Sequence, residues 1–245
     1  MSQRIWGSGA TLAPEPVVSP FVFRLKAELV EWDWSDGPPP WRELESLREV
    51  KARALSRHIP ASPFSWTTGS HLWVESGLEH DLIRELDRRQ DVVWLVTQPC
   101  RVVLGEGGLH VPDVLEVRED GARLWDVRPV RRHDEAFFAK TARTLMACKE
   151  VGIDYEIFDD AKPIRRGNLR WLSCYASAEG LWPLDAILTA VGSGRASTIE
   201  DLVDLFAADP RILAGLWHLI WRGDVLVDLD RVITDQSRLS LGVQP

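Results

Sequence analysis

Cysteine is scarce in this chain of 245 residues: Cys100, Cys148 and Cys174 are odd in number and far apart. They suggest neither a disulfide framework nor a C-x2-C metal site. No repeated His/Cys spacing points to zinc, and no phosphate-cradling glycine motif points to an ATPase. Apolar runs of about 18 residues or more are missing, and the opening MSQRIWGSGATLAPEPVV lacks a basic segment followed by an apolar one. The expectation is a cytoplasmic, reducing environment with no membrane partner.

Positive charge is also short. Lys and Arg number 29 against 37 Asp and Glu, a net charge of −8. That argues against a generally basic nucleic-acid coat, while leaving room for a local patch working with a divalent metal. With 45% hydrophobic and 27% charged residues, the chain is rich enough in apolar side chains to build a core without staples.

Residues 1–19 read as a loose arm. FVFRLKAELVEW, 21–32, is a strand region ended by SDGPPP, and WRELESLREVKARALSRH, 41–58, is helix-competent up to Pro60. HLWVESGLEHDLIRELDRR, 71–89, begins extended and becomes a helix near Glu75 or Ser76. DVVWLVTQP and CRVVLGEGGLHVPDVLEVR read as strands, with a hairpin shaped by Gly105, Gly107 and Gly108. ARLWDVRPV adds a strand, DEAFFAKTARTLMACKEVG a helix leaving at Gly152, IDYEIFDD a strand, and NLRWLSCYA, 168–176, a linking helix. The order predicts an α/β domain with a mixed central sheet. Beyond 176–180, three short helices and two extended pieces in DVLVDLDRVI follow the order of a winged helix, with a tight helical packing domain as the alternative. Trp217 and Trp221 have the spacing of a core stripe.

Carboxylates carry the chemical signal. Leu78, Leu82, Ile83 and Leu86 define the buried side of the 76–89 helix; Glu79 borders it, whereas Asp81 and Arg84 point toward solvent. Strand alternation puts Val111, Asp113, Leu115 and Val117 on one face, and Leu124, Asp126 and Arg128 on one face of the next strand. Oxygen ligands from Glu79, Asp113 and Asp126 suit Mg²⁺, with Mn²⁺ as a substitute, and the ion would polarise a phosphate and activate water. Each acid alone equally suits a strand end or an apolar boundary; their shared order makes the joint site. Glu75 is a second acidic candidate. His80 and His110 read as hydrogen-bonded structural or surface groups.

WTTGSHLWVES, SGLEHDLIRELD, VTQP, VPDVLEV, LWDVRP, FFAKTARTLMACKEVGIDYEIF and NLRWLSCYA together resemble the TnsA-like endonuclease subunits of heteromeric transposases. The resemblance is best over 64–176 and extends to the carboxy-terminal region. It implies a restriction-endonuclease-like core at 61–176, an amino-terminal arm with flanking elements at 1–60, and a winged-helix-like domain at 177–245. Carried onto this chain, the catalytic glutamate is Glu79, the central aspartate Asp113, and the acidic or amide position of the last motif Asp126. Arg128 stands where the wider nuclease family has lysine. An always-protonated guanidinium suits phosphate stabilisation and is a poor proton carrier, so Lys140 on the next helix is the fallback amine. Gln98 matches the Gln-Pro element and is a peripheral candidate or a turn amide.

The implied activity is metal-dependent cleavage of double-stranded DNA at the 5′ ends of a mobile element, alongside a transposase subunit and an ATPase regulator. Alternatives are a cleavage-impaired assembly protein and a restriction or repair nuclease. The basic runs RPVRRH, 128–133, and KPIRR, 162–166, suit phosphate contacts or a solvated rim. Residues 180–245 hold five arginines, no lysine and nine carboxylates. That balance opposes phosphate attraction and predicts docking to a protein partner.

Overall fold

The computed structural model describes residues 19–47, 61–105, 108–159, 162–177 and 182–242. The expected arm at 1–19, up to residue 18, and most of the expected 41–58 helix lie outside them. Strands β1 (Phe21–Leu25) and β2 (Glu28–Glu31) form an antiparallel hairpin turning through Lys26 and Ala27. Residues 41–45 are not α-helical: Trp41–Glu43 is a single 3-10 turn and β3 (Leu44–Glu45) pairs with β1. Leu44 is buried against Phe23, and this packing outweighs helical propensity. A short hairpin, β4 (Phe64–Ser65) with β5 (Ser70–His71), precedes helix α1 (Gly77–Asp87). Ser76 caps α1 by accepting the Glu79 N–H, as Ser/Thr caps do.

The strands after α1 divide between two sheets. β6 (Val92–Thr97) belongs to one, β7 (Cys100–Val103) and β8 (Leu109–His110) to the other, and β9 (Val114–Arg118) and β10 (Gly121–Val127) return to the first. Helix α2 (Glu135–Glu150) then crosses over to β11 (Asp154–Phe158), which pairs parallel with β10. The four-stranded sheet, in the order β11-β10-β9-β6, is therefore mixed, and the five-stranded sheet is antiparallel throughout.

Each face of the four-stranded sheet has its own cover. Leu115, Val117, Ala122 and Leu124 pack with Phe21, Phe23 and Val102 of the second sheet and with Ala147 and Cys148 of α2. Leu95, Val114 and Trp125 point the other way and pack under Leu82, Ile83 and Leu86 of α1. The alternation read from the sequence is the one that forms.

Helix α3 (Pro163–Leu172) starts earlier than the expected 168–176 segment, Pro163 supplying the fixed φ of a first turn, and runs on as a 3-10 turn at Ser173–Tyr175. Its Leu169 and Leu172 belong to the carboxy-terminal core, with α4 (Leu184–Gly192), α5 (Ile199–Leu205) and α6 (Pro210–Arg222). Trp221 is buried there, and Trp217 rests edge-on against Trp171. After α6, β12 (Val225–Leu226) pairs with β13 (Ser240–Leu241), so the second extended piece is not within DVLVDLDRVI; residues 227–233 run as turn and coil. The Arg88 guanidinium donates to the Ile220 carbonyl, and the Gln90 amide to the Arg222 carbonyl and Asp224. These bonds brace the end of α6 on the end of α1. Among the described residues no helix is long and apolar enough to cross a membrane.

Candidate active site

The chain leaves the four-stranded sheet at Gln98 and rejoins it at Asp113, and these corners are bonded together. Gln98, buried and in the left-handed region at φ 48°, donates its N–H to the Asp113 carbonyl at 2.7 Å. It is a corner amide and does not line the cavity described below. Asp113 donates its own N–H to the Trp125 carbonyl at 2.8 Å, and its Oδ2 accepts the Val127 N–H at 2.7 Å. Three bonds thus fix Asp113, two through its backbone and one through its carboxylate.

Val114 pairs with Trp125 at the end of the antiparallel β9–β10 ladder, and just beyond it Asp113 and Asp126 line one cavity. Like charges this close are costly, and the two carboxyls resolve this differently. Burial, joined by the charges of Asp126 and Glu79, pushes Asp113 up to about 7 against the pull of the Val127 N–H and Lys140. Burial also opposes ionisation of Asp126, but the His110 hydrogen bond and charge, Lys140 and Tyr155 outweigh it and hold its pKa below the ordinary value.

Asp126 is heavily held. Its Oδ1 meets His110 Nε2 at 2.8 Å, its Oδ2 accepts the Tyr155 hydroxyl at 2.7 Å, and Lys140 Nζ lies 3.7 Å from Oδ2. His110 is 6% and Asp126 3% exposed, so this bond crosses from β8 to β10 through the interior. His110 is the hydrogen-bonded structural group that the sequence suggested, but its partner carries no spacing signal: β8 belongs to the second sheet and β10 to the first. Behind Asp126, burial raises the Cys148 thiol to about 12 and drives Cys100 upward too, which leaves both inert.

Both carboxylates open into a cavity of about 770 Å³. The β7–β8 side contributes Arg101, Leu109 and His110; the β10–α2 side contributes Arg128, Arg132 and Lys140. Lys140, the fallback amine, is the cation at the carboxylates. Arg128 borders the same cavity but is otherwise committed: Nε donates to the Arg132 carbonyl at 2.6 Å, Nη2 lies 3.4 Å from Asp134, and the guanidinium sits 4.8 Å from the Phe137 ring centre.

Glu79 approaches from the other face of the sheet, because α1 packs on the Val114 and Trp125 side. Its carboxylate accepts the Glu75 N–H at 2.8 Å and the Ser76 hydroxyl at 2.7 Å, closing the helix cap. Glu75 itself is exposed and does not line the cavity. Among the described residues no three His, Cys, Asp or Glu are grouped so as to hold a metal ion. Asp113 and Asp126 still suit Mg²⁺, which commonly takes one or two protein carboxylates and completes its octahedron with waters and substrate phosphate. The raised Asp113 marks a carboxyl whose charge a cation would stabilise.

The seam between α1 and α3 corrects two expectations. Asp81 and Arg84 do not face solvent: Asp81 is 5% exposed and paired with Arg84 at 3.0 Å and Arg166 at 2.6 Å, because α3 covers that side of α1. The KPIRR run is spent on the same seam and its continuation, with Lys162 bonded to Asp230 and Arg165 to Glu85 at 2.5 Å. No protein-family model matches the chain, and no curated protein matches it in sequence.

Proposed function

We propose that this chain is a metal-dependent DNA endonuclease subunit of the TnsA-like kind, with a restriction-endonuclease-like core and a winged-helix-like carboxy-terminal unit. The observation that carries this reading is that Asp113 and Asp126 line one cavity with Arg101, Arg128, Arg132 and Lys140, among apolar side chains. A bound Mg²⁺ would supply Lewis-acid polarisation of the scissile phosphate and an activated water. Asp113 offers the carboxylate oxygen not taken by Val127. His110 and Tyr155 hold Asp126 in one orientation, as outer partners of metal-binding carboxylates do. Lys140 takes the amine position that Arg128 cannot fill: its Nζ stands 3.7 Å from Asp126, where it can meet a phosphate oxygen or orient the attacking water, while Arg128 is tied to its own loop. Glu79 acts at longer range, through its charge on Asp113.

The carboxy-terminal unit is assigned to protein docking, with a transposase subunit or an ATPase regulator as the expected partner. Its net acidic composition fits that role, as do the exposed Leu226, Val232 and Leu241. The cleavage-impaired assembly protein is the second reading. It is favoured by the saturation of Asp126 with hydrogen bonds and by the use of Glu79 as a cap.

The test is cleavage of mobile-element-end DNA in Mg²⁺, with the transposase and ATPase supplied. The parent should cut and folded Asp113→Ala should not. Equal cleavage by both overturns the site assignment. An assembled parent complex that never cuts supports the second reading.

A further inference from the structure

Around the cavity, the cations differ in what they already hold. Lys140 is near Asp126 and Arg128 near Asp134, but among the described residues neither Arg101 nor Arg132 has an ion-pair or side-chain hydrogen-bond partner. Arg101 is half-buried on β7, where an unpaired charge is costly. Arg132 is exposed on the turn between β10 and α2, and that turn is tightly tied. Arg128 Nε holds the Arg132 carbonyl, the Arg132 N–H donates to the Pro129 carbonyl at 2.8 Å, and His133 bonds the Arg128 carbonyl and stacks on Phe137. One guanidinium is therefore presented from each side of the carboxylate floor, on backbone that is already ordered.

Resting on the nuclease reading, we propose that Arg101 and Arg132 grip the phosphodiester backbone of duplex DNA across the cavity mouth, while Arg128 braces the turn that presents Arg132. Phosphate is the ligand class because two forked, always-charged donors, with no carboxylate partner among the described residues, match phosphate oxygens. The contact that the family pattern gives to position 128 thus moves to 101 and 132.

The experiment is anisotropy of a labelled duplex of about 30 base pairs with the full chain, free of divalent metal, between about 50 and 200 mM salt. Arg101→Ala and Arg132→Ala should each lower the slope of log K against log salt by about one, and the double variant by about two. Arg101→Lys and Arg132→Lys should keep the slope. Arg132→Ala should melt like the parent, whereas Arg128→Ala should melt lower. Unchanged slopes in both alanine variants, with parent binding intact, overturn the grip; equal melting losses at 128 and 132 overturn the division of labour. A parent that binds no duplex sinks both the grip and the nuclease reading. A parent that binds with these slopes and never cleaves in Mg²⁺ sinks only the latter.

Discussion

Two basic runs of similar composition, Arg128–His133 and Lys162–Arg166, end in opposite electrostatic states. On α3 the cations are neutralised by Asp81, Glu85 and Asp230, and they bind one part of the chain to another. In the run beside the cavity, Arg131 and Arg132 have no carboxylate among the described residues, and of its arginines only Arg128 is engaged. Positive charge in a sequence marks a nucleic-acid surface only where folding leaves it without acids. Substitutions of Asp113, Lys140, Arg101 and Arg132 at the cavity should therefore change chemistry or binding and leave folding largely intact; substitutions at the α1–α3 seam should do the reverse.

The largest effect belongs to Asp113→Ala, which should bring metal-dependent cleavage to background, a loss of roughly a thousandfold or more. Lys140→Ala should slow cleavage by roughly a hundredfold, with Lys140→Arg recovering little. Comparable activity in Lys140→Ala and the parent would return the catalytic cation to Arg128. His110→Ala should weaken metal use by roughly ten- to a hundredfold, seen as a higher Mg²⁺ midpoint for cleavage. His110→Gln, which keeps a donor near Asp126, should recover part of it. At the seam, Asp81→Ala should cost about 1–2 kcal/mol in a urea melt. That is below the roughly 3–5 kcal/mol of a fully buried pair because Arg166 is half in water.

Acidity separates the two regions with opposite sign and smaller amplitude. His80, at the seam, is lowered from 6.5 to about 4 by burial and then by the charges of Arg84 and Arg170. Its unfolded form takes up a proton that the folded form refuses, so stability is complete above pH 6.5 and is lost as the pH falls toward 4. Asp113 is raised from 3.8 to about 7, so its contribution is present below pH 3.8 and lost as the pH rises toward 7. Melts of the metal-free chain should show His80→Asn flattening the acid limb and Asp113→Asn the neutral limb. A parent curve unaffected by both substitutions would remove the contrast.

Part of this was legible in the sequence. The alternation in VPDVLEV and LWDV finds the faces of Leu115, Val117 and Leu124 and of Val114 and Trp125, and Asp113 and Asp126 line one cavity at the ends of those strands. The leucine spacing of α1 finds its buried side and its cap. What sequence could not give were the partners. Asp81 sits on the polar side of a helix whose cover, α3, comes some 80 positions later, at Arg165 and Arg166. His110 finds Asp126 only because the chain switches sheets at Gln98, whose left-handed backbone no local pattern announces. The engagement of Arg128 was hidden for a similar reason: its partners Arg132, Asp134 and Phe137 are close in sequence, but only the turn brings them to the guanidinium.

The central claim is that Asp113 and Asp126 together serve a divalent cation beside phosphate. Mn²⁺ binding to the metal-free full chain at about pH 8, above the raised Asp113 value, followed by electron paramagnetic resonance with and without duplex DNA, tests it most directly. The account predicts one site in the parent, tightened by duplex, and its loss in both Asp113→Asn and Asp126→Asn with the fold retained. A site that survives both substitutions, or no site even with duplex present, would contradict it.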